Sequence, residues 1–428
     1  MDRKTPPPIS LPQHIDMLAV EQLPLGQHGS MLVVNGGTQD VIRIDLILEA
    51  GTRYQQTTLQ ARCTTALLTE GTLAASCSEL AEQLDFMGSS IDTATSADYS
   101  IVSLLSTHQH LDRSMQLLAD VLLRPALSQP DLDVLLRKER QAFLVGSERV
   151  ATMARRAFMA AIFGPDHPYG RTAQLADFDA LSRDHVAQFH HDNHLRKPIN
   201  ALLSGMVGQR EIDLVAQHLC QGPSRSATPH VPLAQPCTSG PLRRINQPKD
   251  DALQSAIRIG KTTITRSHPD FPMLLVLNTA LGGYFGSRLM SNLREDKGYT
   301  YGIGSALLPY RDACVWSIAA EVGQEHTEAA IAEVLNEIDR ICQEPLPEHE
   351  LQLVKSYLMG ELLRQLDGPF ATADTVSAAL QFNNLDLGFV GRVIDSVRTA
   401  TPQQLLALAQ QHLNTEGLVV SVAGARCK

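Results

Sequence analysis

The chain contains no C-x-x-C pair, no G-x-S-x-G and no G-x-x-x-x-G-K-S/T phosphate loop. Nor does it contain an apolar run approaching the roughly 18 residues a membrane helix needs. Each absence removes a class of function. Without C-x-x-C, neither a disulfide framework nor a zinc ribbon is suggested. The seven cysteines (Cys63, Cys77, Cys220, Cys237, Cys314, Cys342 and Cys427) are odd in number and widely scattered, which reads as reduced thiols and not as a disulfide framework. Without G-x-S-x-G there is no nucleophile elbow, and Gly282-Gly283 is not a phosphate loop. Basic charge is also short: the formal net charge is −10, which argues against nucleic-acid and anionic-membrane binding. The start, MDRKTPPPISLPQHID, has Lys and Arg but no apolar stretch behind them. It does not read as a secretory signal. A cytoplasmic location is expected, or a periplasmic one if a leader has been removed.

What is present is an ordinary globular composition, 43% hydrophobic and 19% charged, over 428 residues, enough for two or more domains. The most informative stretch is Leu281–Ser305, LGGYFGSRLMSNLREDKGYTYGIGS. Leu281–Gly286 is glycine-rich and too flexible for a helix interior. Ser287–Arg294 reads as a short helix with Ser287 at its N-cap and Leu289, Met290 and Leu293 on one face. Gly298 ends it, and Tyr299–Ile303 starts a strand. A guanidinium, Arg294, therefore stands seven residues before a strand phenol, Tyr301. Both can face one cleft, where they would donate hydrogen bonds to a carbonyl or carboxylate. The plain alternative is a surface Arg and a core Tyr.

The chain reads as two halves in the same order. Strands at Met31–Val34 and Val41–Leu48, a helix at Thr58–Leu68 and another at Ser78–Met87 lead to a long strand region, Ile91–Ser106. Helices follow at His110–Leu123, Leu132–Leu144, Thr152–Phe163 and Asp184–His191, then a strand at Ile199–Met206. The second half echoes this through Ala256–Ile259, Tyr299–Ala320, Glu325–Ile341, Glu348–Leu363, Pro402–Leu413 and Leu418–Gly424, at an offset of about 215–220 residues, the mark of a duplicated domain. The expected division is an N-terminal domain at 1–221, an exposed linker at 222–241 rich in Gly, Pro and Ser, and a C-terminal domain at 242–428. Consecutive strands without crossover helices favour an α+β fold, each domain a largely antiparallel sheet covered by helices.

The pattern GSRL-x3-LRE-x2-G-x-x-Y, ending at Tyr301, resembles the C-terminal-domain motif of the pitrilysin/insulinase (inverzincin) metallopeptidases. Ala50-Gly51-Thr52-Arg53 and His167-Pro168-Tyr169-Gly170-Arg171 resemble two further turns of that family. The resemblance implies two homologous domains facing each other as half of a clam shell. It also implies that Arg294 and Tyr301 contact a peptide substrate opposite a zinc ion. The family's zinc motif is H-x-x-E-H on a helix. Anchored on Glu70-Gly71-Thr72, its five positions fall on Arg62-Cys63-Thr64-Thr65-Ala66. Arg62 and Ala66 replace the two His and Thr65 replaces the Glu, so no metal is expected in this chain. The third ligand falls near Gly146, flanked by Glu139 and Glu148.

No substitute centre emerges. His185, His190, His191 and His194 crowd one helix end and are better read as packing residues than as ligands. Cys63 is better read as a buried structural thiol than as a reactive one. No catalytic residue is assigned. The resemblance instead implies a non-catalytic subunit of a zinc-dependent peptidase. It would complete the peptide-binding chamber of an H-x-x-E-H paralogue, as a heterodimer or, without that partner, a homodimer. Zinc is expected in the partner, the substrate is a peptide or unfolded protein, and neither nucleic acid nor membrane is involved. The other readings are a catalytically inactive structural or peptide-binding protein of the same fold, and a hydrolase of unrecognised mechanism.

Overall fold

The computed structural model describes residues 15–27, 29–220, 225–226, 229–234, 236 and 240–424. Most of the proline-rich lead-in, part of the 222–241 linker, Cys237 and Cys427 lie outside the described residues. The first sheet holds β1 (Val20–Leu25), β2 (Gly29–Asn35), β3 (Val41–Leu48), β4 (Ser90–Thr95), β5 (Ser100–Thr107) and β6 (Ile199–Gly205). Its order is β1-β2-β6-β3-β5-β4. The second holds β7 (Arg243–Pro248), β8 (Gln254–Thr263), β9 (Thr300–Pro309), β10 (Cys314–Gly323) and β11 (Val419–Gly424). Its order is β7-β11-β8-β10-β9.

The helices of the first half are α1 (Gln60–Leu67), α2 (Cys77–Phe86), α3 (Leu111–Leu123), α4 (Gln129–Ser147), α5 (Val150–Phe163), α6 (Asp177–Ala180), α7 (Arg183–Phe189) and α8 (Gln209–Leu219). Those of the second are α9 (Phe271–Asn278), α10 (Thr327–Gln343), α11 (Glu348–Gln365), α12 (Gly368–Phe382), α13 (Phe389–Thr399) and α14 (Pro402–His412). The fold is α+β with two sheets of like topology. No helix among the described residues is long and apolar enough to cross a membrane.

The repeat is visible in the backbone. In each sheet one pair is parallel, β2 with β6 and β7 with β11, and every other pair is antiparallel. β6 ends at Gly205 and β11 at Gly424, with φ of +119° and +118°. A Cβ at either would stand 2.4 Å from a carbonyl oxygen, that of Val41 or of Gln254. Only glycine satisfies both the left-handed φ and that approach. The two long strand regions each resolve into a hairpin. β4 and β5 turn at Ser96, whose amide bonds the Tyr99 carbonyl at 2.8 Å, and β9 and β10 turn at Tyr310, bonded to Ala313 at 2.8 Å. Neither turn carries an Asn-Gly or Asp-Gly signal, so strand periodicity runs straight through it.

Each half lends a helix to the other's sheet. α5 packs on β8 and β11, and α12 packs on β2 and β6. Phe158 and Met159 of α5 join Val315 and Val419 in one buried cluster, and Ala154 packs with Ala256 and Ala423. Ser421 Oγ donates to the Ala154 carbonyl at 3.0 Å. Across the molecule, Ala373 and Val376 of α12 cover Leu32, Ile47 and Leu202. This explains why VIRIDLIL departs from simple alternation. Ile42, Ile44, Leu46 and Leu48 face their own helices, while Ile47 is buried beneath α12.

Candidate functional site

Two places on the fold correspond to the sequence motifs. The first is α1, which packs against β4, an edge strand paired only with β5 among the described residues. Of the five motif positions, Cys63, Thr64 and Thr65 are buried. Thr65 Oγ1 lies 3.0 Å from both the Ala61 carbonyl and Ser100 Oγ. Ala66 packs into the cluster formed by Cys63, Leu67 and Leu132. Arg62 projects outward and pairs with Glu139 of α4 at 2.9 Å. A zinc ion does not fit this set: it contains a cation, a hydroxyl already bonded inward and a methyl group. At Gly146 no side chain exists to contribute, although a Cβ there would meet open space. Among the described residues no three His, Cys, Asp or Glu side chains gather in a metal-binding group.

Cys63 is not activated by its neighbour. Burial, reinforced by Glu139 and opposed by Arg62, pushes its thiol up to about 12. Three of the four histidines are bonded elsewhere. His185 Nδ1 accepts from the Ser182 amide at 3.2 Å. His190 Nε2 donates to the Leu122 carbonyl at 2.8 Å, and His191 faces Asp192. His194 is fully buried, edge-on to His190, and neither ring nitrogen has a hydrogen-bond partner among the described residues. Burial holds its pKa well below the ordinary 6.5.

The second place is the glycine-rich stretch. Here the structure corrects two local expectations. α9 continues through a π-type turn, Thr279–Gly283, so the glycines do not begin a free loop. Gly282 is a packing requirement: a Cβ on it would stand 2.7 Å from the Ser305 backbone nitrogen. Ser305 itself is locked, its Oγ accepting from Trp316 Nε1 at 2.8 Å and donating to Asn278 Oδ1 at 2.6 Å. Ser287 starts the next helix, but its buried hydroxyl caps nothing, having no hydrogen-bond partner among the described residues. The helix widens into a π-type turn over Met290–Asp296. It seats Leu293 and Met290 in the core beside Ile303 of β9 and leaves Arg294 partly exposed.

Arg294 and Tyr301 come together. The guanidinium carbon lies 5.5 Å from the centre of the Tyr301 ring and 4.3 Å from that of Phe285. Tyr301 is 91% exposed and Phe285 61%. Arg294 has no hydrogen bond or ion pair among the described residues, so its donors are open. Arg288, six residues earlier, shows the contrast: it forks onto Glu350 at 2.8 and 3.0 Å. Phe285 was not picked out from the sequence. Its signal was an aromatic set between Gly283 and Gly286, beside Tyr284, which takes the place against the core. Such a cation between two rings keeps its planar face covered and its N–H edge free for a carbonyl or carboxylate.

The family turns also meet. Arg53 Nη1 contacts Asp98 at 3.1 Å, Tyr169 Oη at 3.3 Å and Asp312 of the second half at 2.8 Å, while Nη2 donates to the Val231 carbonyl at 3.0 Å. Both carboxylates and the guanidinium are nearly fully buried. Where it is described, the 222–241 segment is mostly exposed, yet it is anchored through His230, the Val231 carbonyl and the Leu233 amide to Arg53 and Asp312.

Comparison with known proteins gives one answer. The family model described as Insulinase (Peptidase family M16) matches residues 31–163, and that described as Peptidase M16 inactive domain matches residues 180–358. An uncharacterised zinc protease of Mycobacterium leprae is 25% identical over 365 residues, covering 81% of this chain and 78% of that protein. The mouse mitochondrial-processing peptidase subunit beta is 23% identical over 348 residues, covering 76% and 68%. Among solved structures, the peptidase M16 inactive domain from Pseudomonas fluorescens superposes with a TM-score of 0.83 at 21% identity, over 96% of this chain and 99% of that one. A protease from Helicobacter pylori gives a TM-score of 0.86 at 17% identity, over 96% and 100%. With both halves matched by the family's models and the motif positions held by Arg62, Thr65 and Ala66, the chain belongs to the pitrilysin/insulinase family as a member that lacks the catalytic zinc motif.

Proposed function

We propose that this chain is the non-catalytic subunit of a zinc-dependent peptidase, closing a peptide-binding chamber over an H-x-x-E-H paralogue. The observation that carries the reading is the state of Arg294: flanked by Phe285 and Tyr301, partly exposed, and without a partner for its donors among the described residues. An arginine kept for stability is tied down, as Arg288 is. In this reading Arg294 donates to a backbone carbonyl or carboxylate of the bound peptide, and the Tyr301 hydroxyl donates one further bond. The peptide lies extended against a sheet edge, as strand addition requires. Bond hydrolysis and its zinc belong to the partner; this chain supplies orientation and hydrogen-bond donors. The name of the mouse relative, a subunit of a processing peptidase, supports the same arrangement.

The test is co-purification from the native host followed by mass spectrometry. A paralogue of similar size carrying H-x-x-E-H should elute with this chain, and peptide turnover should need both. If the chain elutes alone and the paralogue is fully active without it, the proposal fails. A complex that binds peptides but shows no turnover would leave an inactive peptide-binding protein.

A further inference from the structure

α9, α11, α12, α13 and the far end of β9 enclose a cleft of about 470 Å³. That is the size range of small-molecule sites, roughly 300–1,000 Å³. It lies far along β9 from Tyr301, lined there by Leu307 and Pro309. Its apolar wall is built by Leu275, Leu307, Leu358, Leu362, Val390 and Val393. Four charged side chains also line it: Arg266, Glu361, Arg364 and Asp374. Three are already neutralised. Glu361 pairs with Arg364 at 2.6 Å, and Asp374 pairs with Arg43 of the first sheet at 2.6 Å.

Arg266 is the exception. Its guanidinium lies over the Phe389 ring, 4.5 Å from the centre, and has no hydrogen bond or ion pair among the described residues. Its Nε is buried without a partner. Burial lowers its pKa from the ordinary value, opposed only by the thiol of Cys314. A half-buried cation with its Nε sealed from water and no counter-charge beside it is costly. A ring face beneath it offsets part of that cost. Its Nη donors, which are not sealed in, are left free for one negative charge with acceptor oxygens.

We propose that the cleft binds a medium-chain monocarboxylate, with the carboxylate on Arg266 and the apolar tail along α9, α11 and α13. One unpaired cation matches one negative charge. A doubly charged phosphate head would bring one negative charge more than the single unpaired cation offsets. A neutral chain would leave Arg266 unsatisfied. The occupant would touch both α12, which lies on the first sheet, and α9 and α13, which belong to the second.

The experiment is calorimetry of the full chain with decanoate and with 1-decanol as probes. Decanoate should bind stoichiometrically and about ten- to a hundredfold tighter than decanol, the range expected for a charge-assisted hydrogen bond. Arg266→Met should abolish that preference while keeping decanol binding. Ala378→Phe, which fills the cleft from α12, should abolish both, with circular dichroism reporting on the fold. A decanoate bearing a terminal diazirine, photolysed on the unmodified protein, should label peptides of α9, α11 or α13. Equal affinity for the two probes, a preference that survives Arg266→Met, no binding of either, or labelling only elsewhere would each overturn the proposal.

Discussion

Arg53 and Asp312 are 259 positions apart in the chain and meet at 2.8 Å, both side chains almost wholly buried. This pair ties the first half to the second at a point where Asp98, Tyr169 and the Val231 carbonyl also converge. Removing one member of a buried ion pair costs about 3–5 kcal/mol, because the survivor stays buried without its charge partner. Arg53→Met removes the guanidinium shared by two buried carboxylates and should lower the melting temperature more than Asp312→Asn, which leaves Arg53 on Asp98. Equal small shifts would mean that the clasp contributes nothing. Burial alone would raise the Asp312 carboxyl, but the Leu233 amide, His230 and Arg53 outweigh it and hold it below the ordinary 3.8. The stability it adds is therefore complete above pH 3.8 and is lost as pH falls through its lower folded value.

His194 gives a pH dependence of its own. Its folded pKa lies well below the ordinary 6.5, so below pH 6.5 the unfolded chain binds a proton that the folded chain refuses. Stability falls as pH falls from 6.5. His194→Phe removes a buried ring whose nitrogens have no partners, and should flatten the melting-temperature profile between pH 5 and 7 without loss at pH 7. A profile as steep as that of the unmodified chain would show that the drop arises elsewhere.

Arg294→Lys and Tyr301→Phe address the peptide-binding proposal. Each should lower the turnover of the assembled complex by about 10²–10³, the usual loss for a positioned donor. Stability should change by no more than about 0.5 kcal/mol, as for other exposed sites. Full turnover in both variants would remove the pair from the mechanism.

Phe158→Ala tests the exchanged helix. The ring is 1% exposed, and its loss should cost about 3–5 kcal/mol. Although Phe158 belongs to the first half, hydrogen exchange should quicken in β8 and β11, the strands α5 covers. Faster exchange confined to the first sheet would contradict the packing.

Thiol reactivity separates the cysteines. Cys63 and Cys314 are buried, with thiols pushed up to about 12, whereas Cys77 and Cys220 are exposed. Iodoacetamide at pH 8 should label the exposed pair and spare the buried pair in the native chain, as read by peptide mass spectrometry. Rapid labelling of Cys63 would revive a reactive role for α1.

The sequence by itself determined the elements whose cause is local. The periodicity of α3 and α10, the apolar set Ile42, Ile44, Leu46 and Leu48 of β3 and the repeat offset are readable from residue types and spacing, and the replaced zinc positions Arg62, Thr65 and Ala66 from the resemblance to the family motif. The pairing of Arg294 with Tyr301 was readable too, because a short helix and the strand after it can place seven positions side by side. Tertiary structure decided what depends on distant chain. That α5 and α12 cross to the opposite sheets is set by which apolar face each sheet leaves uncovered, and no local pattern names the partner. Gly282 looked like flexibility and proved to be close packing against Ser305. Arg53 looked like a turn residue and became the centre of a clasp only once Asp312 arrived from the other half. Arg288 and Arg294 are both arginines in one short helix; only the fold, by bringing Glu350 to one and leaving the other between two exposed rings, made them different.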